Sequence, residues 1–417
     1  MTNQIPSGEP PLGALACPEP EDRPDLWPTT ARRTPDGELA LGGLTVSEIL
    51  ADAPSPVFVL DEADLRGRAA SWSAAMAEEF WSGYGLRGGE AFYAGKAFLT
   101  TQVARIVLQE GMGIDTASRV ELAVGLAGLE KVDGPEATTH ARRLGLHGNG
   151  KTPAEVTTAV RHRVGHLVID SPEEVDHAVA AVHELRRSGD FGADERARVM
   201  VRLTTGIHAG GHEYISTAHE DQKFGLSVST GAARRAIDAI VAADELELAG
   251  LHSHIGSQIL DMAGFREAVG VVLGLRHEIA VDTGHLCPEV DLGGGYGIAY
   301  TGADPVAPSP AQVARTLAEA VRETCERLGD EVPTVSIEPG RAVAGPTTVT
   351  LYTVTGLKRV ELGEGASRLY VSIDGGMSDN IRPALYEAAY TALVANRRPD
   401  PQAGLVRSRV VGKHCES

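Results

Sequence analysis

From Pro56 onward the chain alternates between two textures. Short apolar runs rich in β-branched and aromatic residues (AFYAGK, GIDTA, RLGLHG, HLVID, RVMVRL, ELAGLHSH, EVDLGG and TVSIEP) read as strands buried on both faces. Between them, apolar positions recur three and four apart in Thr101–Gln109, Arg119–Leu129, Ala154–Arg163, Pro172–Arg187, Gly231–Ala243, Phe265–Ala280 and Gln312–Leu328. These segments read as amphipathic helices and supply the crossovers that parallel strands require. Eight β/α units over about 250 residues predict a closed (β/α)8 TIM-like barrel. An open doubly wound sheet fits the number and regularity of the strands less well.

The texture differs on either side. An Ala-rich helical stretch follows PVFVLDEADL and runs to about Phe80, ahead of the first barrel strand. After Gly345, TTVTLYTVTGLKRVE and SRLYVSIDGG alternate with period two and no helix intervenes, which predicts a second, antiparallel β domain. Residues 1–55 are rich in Pro and Gly with little periodicity, although Ala40–Leu50 can hold a short strand and a turn of helix. The expected organisation is an arm over 1–55 that partly joins the β domain, a barrel over 56–345, and the β-sheet domain over 346–417. No role is assigned to the arm before residue 40.

Composition narrows the ligands. With 42% hydrophobic and 23% charged residues the chain is neither disordered nor a coiled coil. A net charge of −19 argues against a nucleic-acid or acidic-membrane partner, because both select a basic surface. No window of about 18 apolar residues is present, and MTNQIPSGEPPLG has neither a basic nor an apolar leader region, so the expected location is the cytoplasm with no membrane association. Cys17, Cys287, Cys325 and Cys415 lie scattered without CxxC spacing. Neither a disulfide framework nor a metal site is expected from them.

Chemistry-bearing residues collect where a barrel displays them, at the C-terminal ends of strands. Lys96 closes the first strand and Asp115 the second; His147 and Asn149 follow the third. His254 ends the sixth, a glycine run the seventh, and Glu338 with Arg341 the eighth. A partly buried lysine there can act as a nucleophile toward carbonyls; the other reading is a strand-end lysine reaching into solvent. In DLGGGYG, Gly294 and Gly295 leave backbone N–H groups able to approach a phosphate. Arg341 and the Gly340 backbone can add donors, and Ser257 a hydroxyl. Reactive lysine, phosphate cradle and carboxylate together describe a pyridoxal 5′-phosphate site. Lys96 would hold the aldehyde as a Schiff base, and Glu338 would face the pyridine nitrogen and keep it protonated. His254 either lies flat on the ring or is a core histidine. Asp115 either tunes the cofactor indirectly or caps the helix opened by Ser118.

AFYAGKAF, GIDTAS followed by Glu121, LHSHIGSQ, DLGGGYG, EPGR, NIRPALYEA and the terminal GKHCES together resemble the fold-type III pyridoxal-phosphate decarboxylases, and among them those that decarboxylate meso-diaminopimelate in bacterial lysine synthesis. Seven motifs in order, from about Pro56 to Ser417, are far more specific than any one. The resemblance implies decarboxylation of meso-2,6-diaminopimelate to L-lysine and CO2, and a homodimer with shared active sites. It assigns substrate contacts to Arg341, Arg382 and Tyr386, whose guanidinium and phenol groups suit a distal carboxylate. It makes Cys415 the proton donor and gives the distal ammonium to Glu416, both reaching a neighbouring subunit's site. A cysteine is mostly thiol near neutrality, so proton donation is chemically reasonable.

Members of that family continue past the HCES motif with further strands and helices, including a tyrosine that contacts both cofactor and substrate, whereas this sequence ends at Ser417. The expectation is an incomplete β domain with impaired stability or dimerisation. Alternatives are another basic amino-acid or carboxy-polyamine decarboxylase of the same fold type, or a non-catalytic homologue. Arg341, Arg382 and Glu416 together favour a substrate ending in both carboxylate and ammonium. Glu338, where a racemase would hold an arginine, disfavours a racemase.

Overall fold

The computed structural model describes residues 17–83, 86–207, 223–363, 366–400 and 402–415. All eight expected barrel strands form: β1 (Gly89–Ala94), β2 (Gly113–Thr116), β3 (Leu144–Leu146), β4 (His166–Ile169), β5 (Ala197–Thr204), β6 (Leu246–Ser253), β7 (Glu289–Asp291) and β8 (Thr334–Ile337). Each pairs in parallel with the next, and β8 pairs with β1, so the ring closes. Every residue of β2, β3 and β4 is buried. Helices cover the outside and side chains fill the inside, which is why these strands read as continuous apolar runs rather than alternating ones.

The helices between them are α1 (Thr101–Gln109), α2 (Arg119–Asp133), α3 (Pro153–Arg161), α4 (Pro172–Ser188), α5 (Ala232–Ala242), α6 (Ala263–Thr283) and α7 (Pro310–Leu328). Their limits follow from end chemistry. Thr152 and Ser309 open α3 and α7 with capping boxes and a proline in the first turn. Left-handed Gly189, Gly284 and Gly329 stop α4, α6 and α7. Helix α1 buries Val103, Ile106, Val107 and Leu108, each contributing about 1.5–3 kcal/mol of hydrophobic stabilisation.

Packing divides the chain into two units. Leu65–Ile298 with Ala307–Gly345 make the barrel unit; the described residues up to Asp64, Ala299–Val306 and those from Pro346 onward make the second. In the second unit, β9 (Thr348–Leu351) pairs antiparallel with Val57–Leu60, and β10 (Val354–Gly363) pairs antiparallel with β11 (Ala366–Ile373). Strand β12 (Ser408–Val411) instead runs parallel to β11, a departure from the wholly antiparallel sheet expected from sequence. Four residues carry too little pattern to reveal their direction. The arm forms its own antiparallel sheet from Arg32–Arg33, Leu39–Leu41 and Leu44–Thr45. It joins the unit through a core of Trp27, Leu39, Leu41, Val46 and Leu351 and a hydrogen bond from the Leu39 N–H to the Ala395 carbonyl, 2.7 Å.

All four cysteines are unpaired. Burial pushes the thiols of Cys17 and Cys287 up to about 12. Among the described residues no helix is long and apolar enough to cross a membrane.

Candidate active site

Strand β1 delivers the chain into a single 3-10 turn, Gly95–Ala97, and Lys96 stands exposed on that turn. The turn presses on β2: a Cβ on Gly95 would lie 2.9 Å from the Asp115 carbonyl oxygen. Asp115 itself points at the ring of His147 just beyond β3, with Oδ1 2.9 Å from Nε2. The other ring nitrogen of His147, Nδ1, lies 3.4 Å from Oε1 of Glu338, just beyond β8. His252 on β6 meets the same Oε1 at 2.7 Å through its Nε2. Helix α2 is capped by the Ser118 side chain, which accepts from the Glu121 N–H. Of the two sequence readings of Asp115, the helix cap is therefore set aside in favour of the buried polar chain.

The electrostatics separate the two carboxyls. Burial raises Asp115, and the nearby Glu338 charge adds to this against the lowering effect of His147. Burial alone would raise Glu338 too, yet His147 and His252 hold it well below the usual carboxylate range. Burial disfavours a charged His147, but Asp115 and Glu338 overcome it and raise the ring. His254 behaves oppositely: burial first, then the charges of Lys96 and Arg202, keep it well below the usual histidine value. Two carboxyls are thus pushed apart in proton affinity around a shared imidazole.

The glycine run fits tightly. Gly293 has φ +70°, and a Cβ there would sit 2.2 Å from the Ser253 carbonyl; one on Gly294 would sit 2.3 Å from the Glu338 carbonyl. Sequence suggested uncovered N–H groups. Instead, Gly293 donates to Asp291 Oδ1 (2.8 Å) and Gly294 to His254 Nδ1 (3.2 Å), while Gly295 has φ +112° and a Cβ there would lie 2.3 Å from the Gly256 carbonyl. Gly340 packs against Ala94, where a Cβ would lie 2.9 Å from Ala94 Cβ. Arg341 donates to Ser257 Oγ (3.0 Å) and Gln258 Oε1 (3.2 Å), gathering three polar groups at the ends of β6 and β8.

The second unit holds the remaining sequence candidates. Arg382 opens the short helix Arg382–Tyr386 and lies over the Tyr386 ring at 5.2 Å and the Tyr300 ring at 5.8 Å. Cys415 is exposed, in a segment fastened by a Lys413 N–H bond to the Gly375 carbonyl (3.0 Å) and by His414 Nε2 with Ser378 Oγ (2.8 Å). Glu416 lies outside the described residues.

Sequence reasoning passed over His252 and Gln258 and gave His147 no task. His252 was findable: in a strand, positions 252 and 254 share a face, so a histidine placed in the site at 254 places the other beside it. Gln258 has φ +61° and accepts from the Ile298 N–H as well as from Arg341. Nothing local to the sequence signals that.

These groups fit pyridoxal phosphate on the structure's own terms. An exposed amine, a carboxylate held ionised beside a neutral histidine, and glycines that tolerate no Cβ surround one strand-end region. Fold and site define a pyridoxal-dependent decarboxylase, and residues 64–345 match the family model described as "Pyridoxal-dependent decarboxylase, pyridoxal binding domain". The diaminopimelate decarboxylase of Mycobacterium tuberculosis (strain ATCC 25618 / H37Rv) is 42% identical over 401 residues, spanning 94% of this chain and 83% of that one. That of Bacillus subtilis (strain 168) is 36% identical, over 93% and 82%. A crystal structure of diaminopimelate decarboxylase from M. jannaschii in co-complex with L-lysine superposes with a TM-score of 0.80 at 26% identity, covering 94% of this chain and 82% of that chain. The chain belongs to the diaminopimelate decarboxylase family.

Proposed function

We propose that the chain decarboxylates meso-2,6-diaminopimelate to L-lysine and CO2, the last step of bacterial lysine synthesis, with pyridoxal phosphate as cofactor. The observation that carries it is the Glu338 carboxylate, gripped by His252 at 2.7 Å beside His254. When bound, the cofactor supplies an electron sink for the pair of electrons left at Cα as CO2 departs.

The residues divide the remaining work. Lys96 offers the amine for the cofactor's aldehyde, and its exposure supports access to it. Glu338, kept charged, suits the ring nitrogen. His254 offers a neutral imidazole for the ring face, its Nδ1 already occupied by the Gly294 N–H. Gly295, Gly340, Ser257 and Arg341 suit the phosphate, with Asp115 supporting from behind through His147. Gly294 contributes to the same loop through its fit against Glu338 rather than through a free donor.

Arg341, Arg382 and Tyr386 suit the substrate's distal end, and the contact of Arg382 with the Tyr386 ring supports their acting together. Cys415 is our candidate to deliver a proton to Cα, and Glu416 to bind the distal ammonium. We further propose a homodimer with shared sites; exposed Val354, Leu357, Leu405 and Val410 in the second unit support a covering partner. Four unpaired thiols support a reducing compartment, the cytoplasm.

The test is CO2 release from meso-diaminopimelate by the cofactor-loaded chain, with ornithine and arginine as controls. Lys96-dependent release from diaminopimelate alone is expected. Release from ornithine or arginine at a comparable rate would overturn the substrate, and a Lys96→Ala variant with unchanged release would overturn the site.

A further inference from the structure

We infer that His147 and His252 are positioning residues for Glu338: they clamp its Oε1 from two directions and keep the carboxylate charged, with Asp115 anchoring His147 for that task. Both rings address one oxygen, at 3.4 Å from His147 Nδ1 and 2.7 Å from His252 Nε2. Their planes stand 69° apart with centroids 5.0 Å from each other, so they approach from different sides rather than as a stack. A carboxylate accepts hydrogen bonds and cannot donate them. The His252 contact therefore asks for an N–H on Nε2, while His147, at ion-pair distance, places its charge on the same oxygen from another side.

The chain invests these side chains in little else. His252 Nδ1 and Asp115 Oδ2 are buried and make no hydrogen bond among the described residues, so the ring of His252 is given over to Glu338 and the carboxyl of Asp115 to His147. The Glu338 backbone is fixed as well, its N–H donating to the Gly293 carbonyl at 2.9 Å. With the side chain only 6% exposed, a Glu338 deprived of both rings would take up a proton, since an unpaired buried carboxylate is held neutral by desolvation. His254, Asp291 and Arg202 also bear on this cluster electrostatically. That the clamped carboxylate serves the cofactor's ring nitrogen rests on the reading above; the clamp itself does not.

The decisive measurement is infrared difference spectroscopy of the cofactor-free protein. His147→Leu with His252→Leu should produce a protonated-carboxyl band near neutral pH that disappears when Glu338→Gln is added. His147→Leu with His252→Gln, which keeps an N–H where Nε2 stood, should retain the charged form. If the double variant does not fold by circular dichroism, each single variant is measured instead, with a weaker band expected. No new band, or a band that survives Glu338→Gln, overturns the clamp; so does a stoichiometric metal ion in the purified protein ligated by these groups, which lie close enough to hold one. In the loaded enzyme, nitrogen-15 resonance of labelled cofactor should move toward the unprotonated position in the double variant. There kcat should fall about 10- to 1,000-fold with little change in KM. A Glu338→Gln enzyme whose cofactor nitrogen is unmoved rejects the ring-nitrogen reading while leaving the infrared result to judge the clamp.

Discussion

The interior of the barrel and the sheet of the second unit solve opposite problems. Strand β6 buries seven of its eight residues and carries His252 among them. Strand β10 leaves seven of ten exposed, including Val354 and Leu357, the latter 66% exposed. The barrel therefore closes its polar groups on one another, Asp115 to His147 to Glu338 to His252, and can assemble that cluster from a single chain. The sheet unit leaves its candidate groups, Arg382, Tyr386 and Cys415, half-buried or exposed. Charge tuning calls for a dry, crowded interior; gripping a polar substrate end and passing a proton call for a surface still open to a second body.

The strongest challenge to this contrast is Lys96→Ala. Lys96 is exposed, so the variant should fold normally while CO2 release falls on the order of 10^4-fold or more, checked by turnover beside a thermal melt. Next comes a barrel residue with no place in the chemistry. Lys151 and Glu174 form an ion pair at 2.8 Å with side chains only 3% and 1% exposed. Lys151→Ala should cost about 3–5 kcal/mol in urea unfolding, because it strands a buried carboxylate; a loss near zero would mean the interior is wetter than its packing implies.

Arg382→Ala should act the other way, lowering kcat/KM for diaminopimelate about 10- to 100-fold, mostly through KM, with stability held within about 0.5 kcal/mol. A large melting shift would place Arg382 with the barrel type of residue. Smaller again is a pH effect confined to the barrel. Burial opposes a charged His166, but Asp291, 3.4 Å away, raises it to about 9. A raised histidine adds stability that is complete below about pH 6.5, the ordinary value, and is lost as pH climbs toward 9. His166→Asn should thus flatten about 1–3 kcal/mol of that decline in unfolding free energy between pH 6 and 9. Least of all, Leu357→Ser should leave unfolding unchanged within about 0.5 kcal/mol, while weakening self-association in sedimentation if that face is covered by a partner.

The barrel was legible because its strands are uninterrupted apolar runs and its helices announce their ends, Thr152-Pro153 and Ser309-Pro310 at the start and Gly189, Gly284 and Gly329 at the close. Strand-end position then singled out Lys96, Glu338 and His254 as candidates without coordinates. What stayed hidden depends on partners far away in sequence. His252 takes its meaning from Glu338, eighty-six positions on, and Gly294 turned out to spend its N–H on a histidine. The arm's own sheet and the parallel course of β12 escaped because strands of two to four residues carry no periodicity.

The parallel pairing of β11 with β12 has a consequence for the connection between them. A parallel neighbour obliges the chain to travel back along the sheet before re-entering it, and here that return journey, from Ile373 to Ser408, contains Arg382 and Tyr386. The connection is thus the stretch that carries the residues proposed for the far end of a substrate, while the strands on either side form the sheet. Replacing that connection while keeping β11 and β12 would therefore change the proposed substrate contacts without changing the pairing of the sheet.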